Sequence, residues 1–539
     1  MMCEFRLNWS FLLVICLSFV INSCTASSVS TPEMFGAVGD GVSDDRLAIE
    51  KALNSSEKVE FSPNKTYRIN SRLDGVSVFR INHNLEIVGN GAILLLDTGV
   101  TNRTQHHKIT VLFYEENSSV IESVSYKNLD IEVNVNEIFD APSVPKKTYD
   151  GNFYLFNTNS QKQLFEGINV RNKGLHNNLN VVTVDKCAEL TMKNCHFDNC
   201  SSSFRGGMLW MMLKGQLKES VTKVDISDCE FIQDTQDEMM CFSSSNENTK
   251  DCNIYFDVKN CRFESLNRVK GSAFFICYDN RKEGNFQYGV NGNFKNCTFI
   301  SQANINNPTI DRPLFIPQQS ASSSCSWNLT FDKCNVDYKN ELSQIHNDNG
   351  KWYNTYCIGV MNPTMKDSHR YNVLMKHCLI NTNNGVIDGY RGGVAGNITL
   401  KDCDITCAAI RLGNANSNYA VANIVVDDCK VRTNFPYSCG ANEVWRKTEI
   451  VSPSQTDFYV CCDLKKWQNK VFEKCTFNGK PIELDVKKDK DVVKSAKYAL
   501  YTYRSYGGKY LSVFGLVTKR HSKKNEIRSI EYLNNDEKE

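Results

Sequence analysis

Met192-Lys193-Asn194-Cys195-His196-Phe197 is one copy of a six-residue frame that recurs nine times along the chain. In each copy an apolar residue lies three positions before a cysteine and another lies two positions after it. Apolar residues two apart indicate a strand with one buried face, and the step of three breaks that alternation. Each frame therefore predicts a strand, an outward corner and a second strand. The frame cysteines are Cys195, Cys229, Cys261, Cys297, Cys334, Cys378, Cys403, Cys429 and Cys475.

The spacing of the frames predicts a coil. Successive frame cysteines lie between 25 residues (Cys378 to Cys403) and 46 residues (Cys429 to Cys475) apart. Three short strands with their turns need about 20–25 residues, so the longer intervals predict protruding loops. Stacked coils would pair in parallel about 4.8 Å apart and align the cysteines as a buried column. The thiols then serve packing or form bridges between neighbouring coils. The predicted corner residues include Asn194, Asp228, Asn260, Asn296, Asp402 and Asp428.

The N-terminus predicts export. Arg6 precedes an apolar run, Phe11 to Ile21, which is too short to span a bilayer. The sequence from Ile21 to Cys24 resembles a bacterial lipobox, so lipidation of Cys24 as a membrane tether and simple secretion, periplasmic or extracellular, are both open. The formal net charge of +1 gives no bulk attraction to nucleic acid, and nucleic acid is not an expected partner.

The segment Phe35 to Leu53, which contains Gly36-Ala37-Val38-Gly39-Asp40-Gly41, resembles the opening of pectate lyase superfamily proteins, such as polygalacturonases and phage tailspikes. The resemblance implies an all-β, right-handed, single-stranded parallel β-helix with an N-terminal capping helix. Ser43 or Asp44 is the expected helix cap. A calcium loop from Asp40, Asp44 and Asp45 is the alternative, which makes Ca²⁺ a candidate cofactor. The expected organisation is an export signal (1–24), a spacer (25–32), the β-helix (33–484), and a linker with a C-terminal cap or appendage (485–539).

Charged residues follow four successive frames at similar positions, and stacking would place them on one face. The resemblance implies catalytic carboxylates in this part of the coil. A lysine crowded by other cations can act as the base of a β-elimination, so Lys270 with Arg268 is the candidate pair for a lyase. A glycoside hydrolase would instead need two carboxylates, Asp237 or Glu238 with Asp311. The charged positions are Arg205, Asp237, Glu238, Arg268, Lys270, Asp311 and Arg312.

Further substrate contacts are predicted from isolated features. Arginine suits the carboxylates of a uronate-containing polysaccharide, which assigns Arg205 and Arg312 to binding. The glycine-rich segment around Asp388 and Arg391 offers an acid and a cation, and Trp210 offers a ring that can stack on a sugar. No metal site is predicted. The sequence thus favours an enzyme acting on an acidic polysaccharide, with a non-catalytic adhesin or tailspike-like glycan-binding protein as the alternative.

Overall fold

The structure is a computed structural model in which the strands pair almost entirely in parallel. It describes residues 29–70, 77–97, 110–116, 121–134, 153–173, 179–184, 187–198, 209–212, 220–233, 239–244, 252–265, 275–279, 287–303, 315–318, 324–340, 356–358, 370–382, 385–389, 395–407, 409–413, 423–433, 437–439, 442–453, 459–461, 470–485, 498–506 and 509–517.

The described residues form one α-helix, one 3₁₀ turn and 43 strands. The 3₁₀ turn spans Pro32–Phe35 and the helix, α1, spans Arg46–Leu53. The first strands are β1 (Val29–Ser30), β2 (Asp40–Asp44), β3 (Lys58–Glu60), β4 (Thr66–Ile69), β5 (Ser77–Ile81), β6 (Leu85–Val88), β7 (Ile93–Leu96), β8 (Thr110–Glu115), β9 (Ser123–Val133), β10 (Phe153–Thr158), β11 (Lys162–Asn172), β12 (Leu179–Val184), β13 (Glu189–Lys193), β14 (His196–Asp198) and β15 (Leu209–Met212). The next are β16 (Ser220–Ser227), β17 (Glu230–Gln233), β18 (Met240–Ser244), β19 (Cys252–Lys259), β20 (Arg262–Ser265), β21 (Phe275–Asp279), β22 (Gln287–Lys295), β23 (Thr298–Ala303), β24 (Phe315–Gln318), β25 (Ser324–Asp332), β26 (Asn335–Asn340), β27 (Tyr356–Ile358), β28 (Arg370–Lys376) and β29 (Leu379–Thr382). The last are β30 (Gly385–Gly389), β31 (Ala395–Lys401), β32 (Asp404–Cys407), β33 (Ala409–Gly413), β34 (Asn423–Asp427), β35 (Lys430–Thr433), β36 (Tyr437–Cys439), β37 (Asn442–Arg446), β38 (Glu449–Val451), β39 (Tyr459–Cys461), β40 (Lys470–Phe477), β41 (Lys480–Asp485), β42 (Tyr498–Tyr506) and β43 (Lys509–Val517).

The coils contribute strands to three parallel stacks, and β9, β11 and β40 each run through two of them. We call the strands before the corner sheet a (β13 is one), those after it sheet b (β14) and the third set sheet c (β15). Strands of sheet a pair only with the same strand of the coils before and after, as β16 does with β13 and β19. Sheet c contains eleven strands from β5 to β33. The prediction of an all-β, single-stranded parallel β-helix is confirmed.

The core is a column of stacked side chains inside the coils. Phe197, Phe231, Phe263 and Phe299 follow the corner in four successive coils and are fully buried. The ring centroids of Phe231 and Phe263 lie 5.0 Å apart, and those of Phe263 and Phe299 lie 5.1 Å apart. These distances match the spacing of paired strands. Like side chains from different coils therefore stack face to face.

The corner of each cysteine frame is a single residue in the left-handed region. Asn194 has φ 51° and Asp228 has φ 55°, and asparagine and aspartate tolerate this conformation better than most residues. Their side chains also bond between coils: Asn260 Nδ2 donates to Asp228 Oδ1 at 3.0 Å. Later corners use Lys333 (φ 55°) and His377 (φ 53°), at which the sequence offers no turn-forming residue.

The residue after each corner lies inside the coil. All nine frame cysteines are buried, free thiols, and none is more than 3% exposed. Each thiol lies close to the backbone carbonyl two residues earlier, as Cys229 Sγ does to Ser227 O at 3.1 Å. The amide of Cys195 in turn donates to the sulfur of Cys229 at 3.4 Å. The cysteine thus supplies a small side chain and a weak hydrogen bond beside the corner.

One coil lies within the longest interval between frame cysteines. Trp445 and Ile450 flank a corner at Lys447 (φ 46°), and Thr448 takes the place of the cysteine. Only 19 residues separate Cys429 from Thr448, so the predicted minimum of 25 residues is wrong. The repeat was hidden because a hydroxyl replaces the thiol.

The N-terminal motif is held by its aspartates. Asp45 is the helix N-cap residue, and its carboxylate accepts the N–H groups of Val38 at 2.7 Å and Gly39 at 3.1 Å. The carboxylate of Asp45 makes no bond to the helix itself, whereas Asp44 Oδ1 accepts the N–H of Arg46, the first helical residue, at 3.2 Å, as predicted for Asp44. Asp40 accepts N–H bonds from Ser43 and Val42, which lower the pKa of its carboxyl. The calcium loop stays a hypothesis.

The helix α1 buries one side against the first coils. Ala48, Ile49, Ala52 and Leu53 are buried, and the helix contacts β3, β4 and β5. Because β5 is the terminal strand of sheet c, the helix lies beside the open edge of that sheet. Its capping role stays a prediction.

The last coil is followed by a reversal of chain direction. β41 pairs with β40 in the antiparallel sense, from Val471 opposite Asp485 to Phe477 opposite Lys480. A turn at Asn478 and Gly479, both with positive φ, joins the two strands. Strands β42 and β43 form a separate antiparallel hairpin. The predicted domain boundaries, including the one at residue 484, stay predictions.

Candidate functional site

Four neighbouring strands of sheet c begin on one line. Leu209 of β15 pairs with Met240 of β18, Met240 with Phe275 of β21, and Phe275 with Phe315 of β24. Parallel pairing keeps these residues about 4.8 Å apart from coil to coil. The chain therefore enters sheet c at the same level in four successive coils.

The predicted charged residues directly precede these four strands in the sequence. Each lies two to seven residues before the first residue of its strand: for example, Lys270 lies five residues before Phe275. Their own positions lie outside the described residues, as does that of Arg391. Asp388 and Trp210 lie in strands β30 and β15, of which the backbone is described. The predicted residues that lie outside are Arg205, Asp237, Glu238, Arg268, Lys270, Asp311, Arg312 and Arg391.

Sheet c is buried on both sides in its early coils. Phe113 and Phe156 stack on each other and on the core residue Tyr126, so they face inward. Leu112 and Leu155 precede them and face outward by strand alternation. Both are nevertheless fully buried. Residues that face either side of sheet c are therefore buried in these coils.

Two polar residues lie side by side on this outer side. Asn157 of β10 pairs with Thr183 of β12, one residue beyond the inward-facing Phe156 and Val182. Asn157 Oδ1 and Thr183 Oγ1 are both buried, with no hydrogen-bond partner among the described residues. Each can accept a hydrogen bond from a group outside that set. The sequence signal was a polar residue directly after an apolar run in each strand, and it was missed.

A second polar feature lies on the outer side of sheet a. Five asparagines in successive coils form a chain of side-chain hydrogen bonds of 2.8–3.0 Å, in which each Nδ2 donates to the Oδ1 of the preceding coil. Sequence reasoning missed this column, although each member lies six residues before a frame cysteine. Its members are Asn291, Asn328, Asn372, Asn397 and Asn423.

Within the described ranges, no group of three or more His, Cys, Asp or Glu side chains is arranged to hold a metal ion. The same ranges contain no helix with the length and apolar character needed to cross a bilayer.

No family model matches the sequence, and no curated protein matches it. Solved structures are similar at low identity. PfbA, a surface adhesin of Streptococcus pneumoniae, is 11% identical, with a TM-score of 0.37 and coverage of 90% of this chain and 99% of that one. Tailspike protein 3 of bacteriophage CBA120 is 10% identical, with a TM-score of 0.42 and coverage of 95% and 75%. A family 28 exopolygalacturonase of Yersinia enterocolitica is 11% identical, with a TM-score of 0.37 and coverage of 84% and 79%. The β-helix of this chain is established by its own strand pairing.

Proposed function

We propose that the chain binds an acidic polysaccharide along the outer side of sheet c and cleaves it by β-elimination. The observation that carries this proposal is that four neighbouring strands of sheet c begin in register, at Leu209, Met240, Phe275 and Phe315. In the sequence, charged residues precede each of these four strand starts by two to seven positions. An extended polymer lying along the coil axis would meet them in succession.

Lys270 is the proposed base, with Arg268 as its cationic neighbour. In a β-elimination the base removes the proton on the carbon next to the uronate carboxyl group, and the glycosidic C–O bond to the leaving sugar breaks. The product carries a new carbon–carbon double bond. A neighbouring cation favours the neutral form of Lys270 and also stabilises the negative charge that develops on the substrate. Arg205 and Arg312 are the proposed ligands of neighbouring carboxylates.

A panel of uronate polymers tests the proposal. The purified chain is incubated with each polymer, with and without a chelator, and two products are followed. Absorbance at about 235 nm reports the unsaturated product of elimination, and the reducing-end assay reports any chain cleavage. Elimination product with at least one polymer supports the proposal, and its loss with chelator identifies a metal requirement such as Ca²⁺.

Other outcomes redirect the assignment. Reducing ends without unsaturated product overturn elimination and favour hydrolysis by Asp237 or Glu238 with Asp311. Retention on an immobilised polymer without any cleavage favours the adhesin or tailspike-like alternative. Neither cleavage nor retention on any uronate polymer overturns the proposed substrate class.

A further inference from the structure

Glu115, the last residue of β8, lies fully buried inside the coils. Its Oε2 accepts three hydrogen bonds: the N–H groups of Asn159 and Ser160 at 2.9 Å each, and Nε2 of Gln163 at 2.6 Å. Asn159 Nδ2 also donates to the backbone oxygen of Glu115 at 2.7 Å. This glutamate therefore fastens the turn between β10 and β11 to the preceding coil.

The two oxygens of the carboxyl group are used unequally. Oε2 receives all three donors, whereas Oε1 is buried without a partner. The hydroxyl of Tyr126 and Oε1 of Gln163 are also buried and unpartnered. The hydroxyl of Tyr126 is an available donor for an ionised Oε1, but the negative charge would still lie in the core, which is costly without a cation beside it. A proton on Oε1 removes that charge and makes the oxygen a donor, for which the hydroxyl of Tyr126 and Oε1 of Gln163 are unpartnered acceptors.

The surroundings of Glu115 supply no compensating positive charge. In the described part of the chain Glu115 forms no ion pair, and the titratable groups that face it are Tyr126 of β9 and Cys187 before β13. Burial raises the pKa of Tyr126 well above its ordinary value and that of Cys187 to about 12. Both are uncharged at neutral pH. Two ion pairs involve residues close to this site, Arg80 with Glu116 and Lys162 with Glu189, each at 3.8 Å, and both are exposed at the surface.

We propose that Glu115 carries a proton in the folded protein, and that loss of this proton as the pH rises loosens the turn from Thr158 to Lys162. The turn precedes β11, which pairs along most of its length with β9. It also fixes the end of β10, which carries Asn157. A change of pH would thus act on the early coils of sheet c from inside the core.

The direction of the pH effect follows from burial. Burial raises the pKa of the Glu115 carboxyl above its ordinary value of 4.5. A carboxyl group with a raised pKa stabilises the fold fully at low pH, and this contribution is lost as the pH rises through the raised pKa. The early coils therefore weaken toward alkaline pH, the opposite of the usual behaviour of a paired carboxylate.

Hydrogen exchange of two peptides within the same protein tests the proposal. Residues 153–173 contain the turn, and residues 395–407 form a distant coil that shares the intrinsic pH dependence of exchange. From about pH 5 to about pH 9 the ratio of their exchange rates should rise in the wild type, by up to ~10-fold per pH unit above the titration point. In Glu115→Gln, which keeps the amide-accepting oxygen without a titrating proton, the ratio should stay constant. Glu449→Gln, an exposed control in β38, should follow the wild type.

A constant ratio in the wild type, or an equal rise in Glu115→Gln, overturns the proposal. The wild type alone provides a second readout if Glu115→Gln does not fold. Its infrared spectrum should show the carbonyl stretch of a protonated carboxyl at neutral pH, and this band should disappear over the range in which the exchange ratio rises. A neutral-pH spectrum without the band contradicts a protonated Glu115. Neither readout requires a polysaccharide, so failure here leaves the proposed function untouched.

Discussion

Thr448 Oγ1 donates a 2.7 Å hydrogen bond to the backbone oxygen of Arg446, two residues earlier. In the preceding coil Cys429 Sγ lies 3.3 Å from Asp427 O in the same arrangement. Thr448 Oγ1 also accepts the N–H of Cys429 at 3.4 Å. Threonine and cysteine share a small size and a donor that is also an acceptor. This shared chemistry explains why one can replace the other after a corner.

Thr448→Val should therefore destabilise the protein, whereas Thr448→Cys should be nearly neutral. Valine keeps the shape but leaves the buried partners of the hydroxyl unpaired, which costs about 1–3 kcal/mol in the free energy of unfolding. Urea denaturation followed by circular dichroism measures the difference. Thr406→Val, at an exposed position of sheet b, is the control and should change stability little. Equal stability of Thr448→Val and the wild type would contradict the hydrogen-bonding role.

The buried thiols should resist alkylation in the folded protein. Burial raises the pKa of the Cys407 thiol to about 12, and the nine frame cysteines are at most 3% exposed, so a reagent cannot reach these sulfur atoms in the folded protein. Iodoacetamide labelling with peptide-level mass spectrometry should find the nine frame cysteines and Cys407 unlabelled in buffer and labelled in denaturant. Rapid labelling of these positions in buffer would mean that the coils open readily.

Lys333→Gly should stabilise the protein. Lys333 has a φ of 55°, a conformation that costs a residue with a Cβ roughly 1–2 kcal/mol. Glycine removes this cost but adds flexibility to the unfolded chain. We therefore expect the free energy of unfolding to rise by up to ~1 kcal/mol. Lys295→Gly, in strand β22, should instead lower the free energy of unfolding by about 0.5–1 kcal/mol. Destabilisation by both variants in a denaturant titration would exclude strain at the corner.

Asn372→Ala should interrupt the column of asparagines on sheet a. The side chain donates to Asn328 and accepts from Asn397, both at 2.8 Å. Losing these two exposed hydrogen bonds should lower the free energy of unfolding by about 1 kcal/mol in total. This value is near the lower end of the range for two hydrogen bonds, because water can replace them. Asn293→Ala, an exposed neighbour on sheet a, is the control and should cost less. Thermal unfolding of the two variants side by side gives the comparison.

Lys270→Ala should abolish cleavage without affecting the fold. Loss of a general base typically lowers the rate by about 10²–10⁴-fold. The measurement is the initial rate of elimination on the best polymer of the panel, together with the midpoint of thermal unfolding, which should stay close to that of the wild type. Lys295→Ala, on sheet a, should keep full activity. Full activity of Lys270→Ala would remove this residue from the assignment.

The fold was predictable because its pattern is local. The step of three residues from Met192 to Cys195 marks a corner within one short segment, and the structure confirms a left-handed residue there at Asn194. The coil at Thr448 was missed for the same reason that the others were found, since the frame was defined by cysteine. A frame defined by cysteine cannot identify a coil in which threonine makes the same hydrogen bonds after the corner.

The polar features inside and around the coils were less predictable. Glu115 and Gln163 are 48 residues apart in the sequence, and only the pairing of the coils brings them together. The length of the intervening loops hides such a contact from any local pattern. The asparagine column could have been found, because its members keep a fixed distance from the frame cysteines. The charged stripe before sheet c remains a prediction, supported by the register of the strands that follow it.

The reversal of direction at β41 also limits how such a chain can grow. β41 occupies the edge of β40 in the antiparallel sense, where a further coil would pair in parallel. We therefore expect a duplicated coil to lie upstream of residue 480, within the array. Such a fold can lengthen by insertion of a coil within the array, whereas β41 occupies the edge at its end.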